Sequence, residues 1–243
     1  MEARLRDGRA QALIRPDRDD FVRRHTRLGP VPFVPEIRLH QAEEATSLWH
    51  MTEDDLGRAG LPPPFWAFAW AGGRGLARHV LDHPELVAGK RVLDFASGSG
   101  LVAIAAALAG AGRVQAVDVD PFAFASIGLN AVANGVAVEA FEADWIGRGA
   151  AADVVLAGDI FYDRAFSARV LPWLRVVAGQ ALVLVGDPAR AYRPADGVIE
   201  RARYDVPVER ALEDGTIKSV TILEWLRGGD AGPGPACDRA SNP

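Results

Sequence analysis

Cysteine is almost missing from this 243-residue chain. Cys237 stands alone, so neither an intramolecular disulfide framework nor a cysteine-based zinc set can be drawn. That usage suits a reducing compartment, and the expected location is the cytoplasm. No apolar stretch approaches the ~20 residues that a membrane-spanning helix needs, so no membrane partner is expected. Residues 1–20 are arginine-rich yet lack the apolar centre of a secretory signal. Glu2, Asp7, Asp17, Asp19 and Asp20 also run against an acid-poor transit peptide. Excess positive charge is missing too. With 27 Lys+Arg against 32 Asp+Glu the net charge is −5, which argues against a nucleic-acid partner held by a basic surface.

What remains is an ordinary globular composition, 49% hydrophobic and 24% charged, over a length that suits one large domain with an extension. Composition divides the chain in three. Residues 1–85 carry Pro30, Pro32, Pro35 and the run Pro62-Pro63-Pro64, which regular interiors do not tolerate, and are expected to form an extension packed on the main domain. Residues 86–227 form that domain, and the Gly/Pro-rich 228–243 are expected to be a disordered tail. In the first region 36–41 reads as a strand, 42–56 as a helix and 65–81 as helical up to His83-Pro84. The middle alternates strands 91–95, 113–117, 136–141, 153–157 and 181–186 with helices 100–109, 121–133 and 165–177. Short apolar strands alternating with helices imply a parallel sheet covered on both faces. Two more strand-like runs, 203–208 and 217–226, flank Glu213-Asp214-Gly215 and add an antiparallel pair.

The chemistry concentrates where strands end, since ligands of open α/β sheets bind beyond the carboxyl ends of the strands. The first strand of the alternation runs through Asp94 into the small-residue loop Ala96-Ser97-Gly98-Ser99-Gly100, with glycines where backbone must approach a ligand closely. A loop that cradles a pyrophosphate wants N–H groups and no added negative charge. A carboxylate there suits a ligand with a positive end, such as the ammonium of a methionine moiety, so the loop points to S-adenosylmethionine before NAD. The second strand ends at Asp118-Val119-Asp120, about 20 residues on, where an acid holds ribose hydroxyls. The third is followed by Asp144-Trp145, an acceptor for an adenine amino group beside an aromatic wall. The fourth runs into Asp159-Ile160-Phe161-Tyr162.

Any one of these acids reads more simply as a turn former or helix cap. Four in succession, with the glycine loop at the first, favour an adenosyl ligand. The loose match of Gly98-Ser99-Gly100 to a dinucleotide fingerprint keeps an NAD-binding oxidoreductase as the alternative. A serine-hydrolase elbow is excluded, because Ser97 stands where the residue two before Ser99 must be glycine. His79 and His83 share a helical spacing but lack a third ligand, so no metal is expected.

The segments PPPFWAFAWAGG, VLDFASGSG, AVDVDP and AGDIFYD, in that order, resemble the seven-strand (class I) S-adenosylmethionine-dependent methyltransferases. More narrowly they resemble the electron-transfer-flavoprotein beta-subunit lysine methyltransferases and their bacterial relatives. The likeness also takes in PWL at 172–174, GDPAR at 186–190 and YDVPVER at 204–210. It implies a Rossmann-like α/β fold, a seven-strand sheet with a terminal antiparallel strand, and a monomer. It implies a protein-lysine N-methyltransferase acting on the flavoprotein beta subunit, with ribosomal proteins as further candidates and a small-molecule amine as the alternative acceptor. By the same resemblance Asp94, Ala96, Ser97, Gly98 and Gly100 belong with the methionine end of the cofactor, Asp118 and Val119 with its ribose, and Asp144 and Trp145 with its adenine. Trp70 closes that pocket. Asp159 and Tyr162 sit where the methyl is transferred, with Trp66 and Phe161 toward the substrate. Ala96 stands where the wider superfamily has glycine; its methyl is expected to be tolerated with φ below zero.

Overall fold

The computed structural model describes residues 17–42, 63–209 and 215–227. The helix expected over 42–56 and the tail after 227 fall outside those residues, as do Glu213 and Asp214 of the expected turn.

The described chain opens with helix α1 (Arg18–His25), started by Asp17, whose side chain accepts from the Asp19 N–H. Acids in its first turn and Arg23, Arg24 and His25 in its last complement the helix dipole. A two-stranded ribbon follows, β1 (Arg27–Val31) antiparallel to β2 (Val34–Gln41). Sequence reasoning found most of β2 and missed α1 and β1. Pro30 and Pro35 look like breaks, but each strand of a ribbon has one ladder only, and half its N–H groups need no partner.

The helix expected over 65–81 is interrupted. Phe65–Ala67 form a 3₁₀ turn, Phe68 and Trp70 take extended backbone angles, and only then does α2 (Ala71–Asp82) begin. From there the alternation holds: β3 (Arg91–Phe95), α3 (Leu101–Leu108), β4 (Arg113–Asp118), α4 (Pro121–Ala133), β5 (Glu139–Glu142), β6 (Val154–Gly158), α5 (Arg164–Ala178), β7 (Leu182–Asp187), β8 (Val198–Pro207) and β9 (Ile217–Trp225). β5 starts later than expected because Val136 and Val138 pack into the core from the segment before it. The seven strands lie in the order β5-β4-β3-β6-β7-β9-β8, and β9 runs antiparallel to both its neighbours. This is the Rossmann-like methyltransferase sheet that the sequence implied.

Strand alternation assigns the two faces. Val92, Val154 and Leu156 meet α2, α3 and the ribbon on one side, while Leu93, Phe95, Val155 and Ala157 meet α5 on the other. The ribbon is tied in by polar bonds. Asn130 on α4 is fully buried; its Oδ1 accepts from the His40 N–H at 2.7 Å and its Nδ2 donates to the Ser99 carbonyl at 2.8 Å.

Helix α2 approaches the sheet more closely than side chains permit. A Cβ on Gly72 would lie 2.3 Å from the Gly186 carbonyl oxygen, one on Gly186 2.1 Å from the Gly72 oxygen, and one on Gly158 2.7 Å from Gly73 Cα. Gly75 meets Val220 of β9 in the same way, at 2.6 Å. The neighbours at Gly72, Gly158 and Gly186 include backbone atoms, which cannot swing aside. Gly186→Ala should therefore lower unfolding free energy by about 3 kcal/mol or more. Gly73→Ala, whose Cβ meets only the side chains of Leu101 at 3.8 Å and Val102 at 3.9 Å, should stay within about 1 kcal/mol of the parent. Urea titration of both variants checks this, and equal losses would mean that close packing does not set the contact.

Candidate functional site

Alternation places Asp94 on the Val92 side of β3, against the start of α3. Its Oδ2 accepts from the Ala103 N–H at 3.0 Å and from the Ser97 hydroxyl at 2.5 Å. The side chain is 1% exposed. Burial pushes its carboxyl up to about 7, against the opposing pull of those two hydrogen bonds, and the nearby Asp118 adds to the rise. The glycine loop then turns through left-handed backbone at Ala96 (φ 53), Gly98 (φ 55) and Gly100 (φ 83). The expectation of negative φ at Ala96 is corrected here. The turn from strand to helix needs the left-handed region at this position, and alanine holds it at a cost of roughly 1–2 kcal/mol. Gly100 caps α3 and lies where a Cβ would press to 3.3 Å from Ile127 Cα.

Asp118 closes the loop from β4. One oxygen accepts from the Gly98 N–H at 2.8 Å and the other from the Asp120 N–H at 3.0 Å. Burial raises its carboxyl above the ordinary range, and those backbone bonds oppose the rise. Asp144 follows β5 and is more exposed. Its Oδ2 meets the Arg169 guanidinium at 2.6 Å and its Oδ1 accepts from the Ile146 N–H, and the arginine bond holds its carboxyl low. Trp145 carries the Arg148 guanidinium 5.0 Å from its ring, and its buried Nε1 has no hydrogen-bond partner among the described residues.

Asp159 follows β6 with φ 58, its N–H donating to the Gly186 carbonyl at 3.0 Å. Its two oxygens are separately engaged. Oδ2 accepts from the Gly73 N–H at 3.0 Å, satisfying one of the open donors of the α2 N-terminus. Oδ1 accepts from Arg190 Nε at 3.1 Å and Nη2 at 2.7 Å. Arg190 is presented by the loop after β7, where Ala189 sits at φ 64 and the buried Asp187 accepts from the Ala189 N–H at 3.0 Å. Burial pushes the Asp187 carboxyl up to about 6. The Arg190 guanidinium also lies 6.0 Å from the Trp70 ring centroid.

These groups border one cleft of about 730 Å³ at the carboxyl ends of β3, β4, β5 and β6, a size suited to a cofactor. Asp94, Asp118, Asp144 and Asp159 all line it, together with Trp70, Ala96, Ser97, Gly98, Val119, Trp145 and Tyr162. Two expected residues do not. Gly100 stands behind the loop, against α4. Phe161 is fully buried, 6.0 Å from the Trp225 ring, because the residue between Ile160 and Tyr162 turns into the core shared with β9. Trp66 borders the cleft but is 1% exposed, stacked on Phe122 at 6.0 Å. The aromatics facing Tyr162 are instead Phe65, at 5.3 Å, and Phe166, at 6.0 Å; Phe65 also meets the Trp70 ring at 5.8 Å. His79 lies 3.0 Å from the Tyr204 hydroxyl of β8, apart from the cleft. Sequence reasoning missed Arg190 and Phe65. Arg190 stood in GDPAR at a strand's carboxyl end, a position that singles out a site, but its partner lies 31 residues away.

The chain is similar to known methyltransferases. The family profile of ribosomal protein L11 methyltransferase (PrmA) matches residues 79–161. The electron transfer flavoprotein beta subunit lysine methyltransferase of Xenopus laevis is 36% identical over 194 residues, covering 76% of this chain and 78% of that protein. The protein of the same name from Homo sapiens is 34% identical over 196 residues, covering 74% and 70%. A ribosomal protein L11 methyltransferase of Bordetella parapertussis is 33% identical over 199 residues, covering 74% of this chain and 62% of that protein. A solved protein of Pyrococcus horikoshii shares the fold with a TM-score of 0.51 at 16% identity, over 75% of this chain and 98% of that one. With the sheet order, the strand-end acids and more than two thirds of the frog and human proteins matched, the chain is a methyltransferase and belongs to the electron transfer flavoprotein beta subunit lysine methyltransferase family.

Proposed function

We propose that this protein transfers methyl groups from S-adenosylmethionine to a lysine of the electron transfer flavoprotein beta subunit. The observation that carries the reading is the row of four carboxylates along one cleft, with a backbone cradle at one end and an Asp–Arg pair beside aromatic rings at the other. The donor set fits the cofactor. Asp94 is an acid whose carboxyl burial raises, and an ammonium group beside it would favour its charged form. Asp118 offers a carboxylate already oriented by two backbone N–H groups, suited to the two hydroxyls of a ribose. Asp144 and Trp145 suit the adenine. S-adenosylmethionine, when bound, supplies a methyl group on a positively charged sulfur, open to attack by a nitrogen lone pair.

The chain's own residues serve the acceptor. An amine with a pKa near about 10.4 must shed a proton before it attacks. Asp159 accepts a hydrogen bond from the neutral amine and aims its lone pair; the displacement is then dominated by positioning. Tyr162 and Phe65 wall the amine, and aromatic faces suit the cation that methylation leaves. Burial, with Asp118 and Asp163 nearby, raises the Tyr162 phenol, which therefore stays a neutral donor near pH 7. Ribosomal protein is the second reading, favoured by the PrmA match and the Bordetella relative.

Labelled S-adenosylmethionine, offered with purified flavoprotein beta subunit and with ribosomal protein, decides between acceptors. Label on lysine of the flavoprotein subunit is the expected result; label on small molecules alone would sink the protein-substrate reading. Asp159→Ala should keep cofactor affinity within a few fold and lower methyl transfer at least ~100-fold, read by single-turnover mass spectrometry. Asp118→Ala should weaken cofactor binding by ~2–4 kcal/mol in calorimetry.

Affinity should also depend on pH through Asp94. Its raised pKa means that the free site holds a proton below about 7. An ammonium-bearing ligand must displace that proton, so affinity should fall about tenfold per pH unit below that point and level off above it. The sign for the free protein is opposite. The unfolded acid loses its proton at the ordinary aspartate value of about 3.9, so this group's contribution to stability is full below that and is lost as pH rises through about 7. Calorimetric titration between pH 5.5 and 8.5 reads the first effect, and an affinity that is flat over this range would exclude Asp94 as the counter-charge.

A further inference from the structure

We propose that Arg190 is a positioning residue that keeps Asp159 charge-compensated, so that the cleft takes its acceptor lysine as the neutral amine and disfavours the ammonium form. The inference rests on the lysine-methylation reading above and adds a residue and a role to it.

An acid within hydrogen-bond distance stabilises the ammonium and raises the amine's pKa, by about 1–3 units for a close pair. Asp159 alone would therefore hold its substrate in the form that cannot attack. The structure does not leave it alone. Arg190 places Nε and Nη2 on one oxygen, at 3.1 and 2.7 Å, and the Gly73 N–H at the α2 N-terminus takes the other at 3.0 Å. The two side chains are 9% and 22% exposed, so water screens the pair weakly. Arginine cannot lose its proton in this range, which makes the compensation permanent.

Other charges face the pair. Asp187 lies behind it at the end of β7, with Arg193 3.9 Å from its carboxylate. Tyr162 and Asp163 stand in the Asp159 loop, and Asp118 acts on Tyr162 from β4. None of these approaches the Asp159 oxygens as Arg190 does. The Trp70 ring, 6.0 Å from the guanidinium, adds a face that favours the cation and holds it at the cleft wall.

The free ammonium gives one proton to water on entering the cleft. In transfer the nitrogen lone pair forms the N–C bond as the S–C bond breaks and its electrons stay on sulfur. The methylated nitrogen, now cationic, loses its extra proton to water before a further cycle.

Calorimetry in two buffers of different ionisation enthalpy counts that first proton. The probe is purified flavoprotein beta subunit added at pH 8 to the complex with S-adenosylhomocysteine, which is inert and lacks the sulfonium charge. The unaltered protein should release close to one proton per complex. Arg190→Gln should release clearly fewer, and the rising limb of its kcat/KM profile should move up by about one pH unit or more. Arg190→Lys, which keeps the charge, should restore most of both. A count near zero for the unaltered protein overturns the inference without any variant. So does equal release by the unaltered protein and Arg190→Gln with a rate lowered by one factor at every pH, the pattern of a purely structural residue. If the unaltered protein methylates no lysine, the function proposed above falls and this inference with it; an unshifted profile in an active Arg190→Gln enzyme overturns this inference alone.

Discussion

The contact of α2 with the ends of β6 and β7 fixes the geometry of the site. Backbone meets backbone there at distances that leave no room for a Cβ at Gly72, Gly158 or Gly186. Because the helix lies so low, its first-turn N–H reaches Asp159, and Trp70 at its start reaches Arg190. The Phe65 carbonyl in turn accepts from Trp70 Nε1, so the 3₁₀ turn before the helix is held by the same contact. One steric constraint thus positions an acid, an arginine and two aromatic rings drawn from separate parts of the chain.

Local strain gathers where the strands deliver their functional groups. Of four non-glycine residues with positive φ among the described residues, Ala96 and Asp159 follow β3 and β6 directly and Ala189 lies two residues past β7. Each costs of order 1–3 kcal/mol, and such residues persist only where their surroundings over-determine them. The surroundings here are hydrogen bonds: Ser97 N–H on the Val117 carbonyl, Asp159 N–H on Gly186, and Ala189 N–H on Asp187. In return the chain turns sharply enough to bring backbone donors and side chains to the cleft instead of leading away from it.

Particular residues explain what the sequence could and could not reveal. The parallel strands were legible because buried strands read as short apolar runs such as 154–157 bounded by turn formers. The four acids were legible because strand ends are where ligands bind, and all four line the cleft. β1 was hidden by Pro30 and the Pro32 that follows it, since a local rule written for central strands says nothing about a ribbon with one ladder. Phe161 was misplaced because side-chain direction in an irregular loop has no period to read. Arg190 was hidden for a different reason: its role depends on Asp159, and no spacing rule connects the loop after β7 to the loop after β6. The left-handed turn at Ala96 reverses the sequence expectation, since nothing local marks an alanine as occupying a glycine's conformation.

The place of β9 bears on how the protein is made. It is the last described strand in the chain, yet it lies between β7 and β8. Until residues 217–225 have left the ribosome, β7 has an open edge and β8 has no neighbour to pair with. Gly75 of α2 meets Val220 of β9, so the helix that organises the cleft also lacks one of its walls during that interval. The nascent chain therefore carries an unfinished sheet through most of its synthesis, and exposed strand edges of this kind invite pairing with other chains. Competence for catalysis and protection from aggregation arrive together, with the insertion of one late strand.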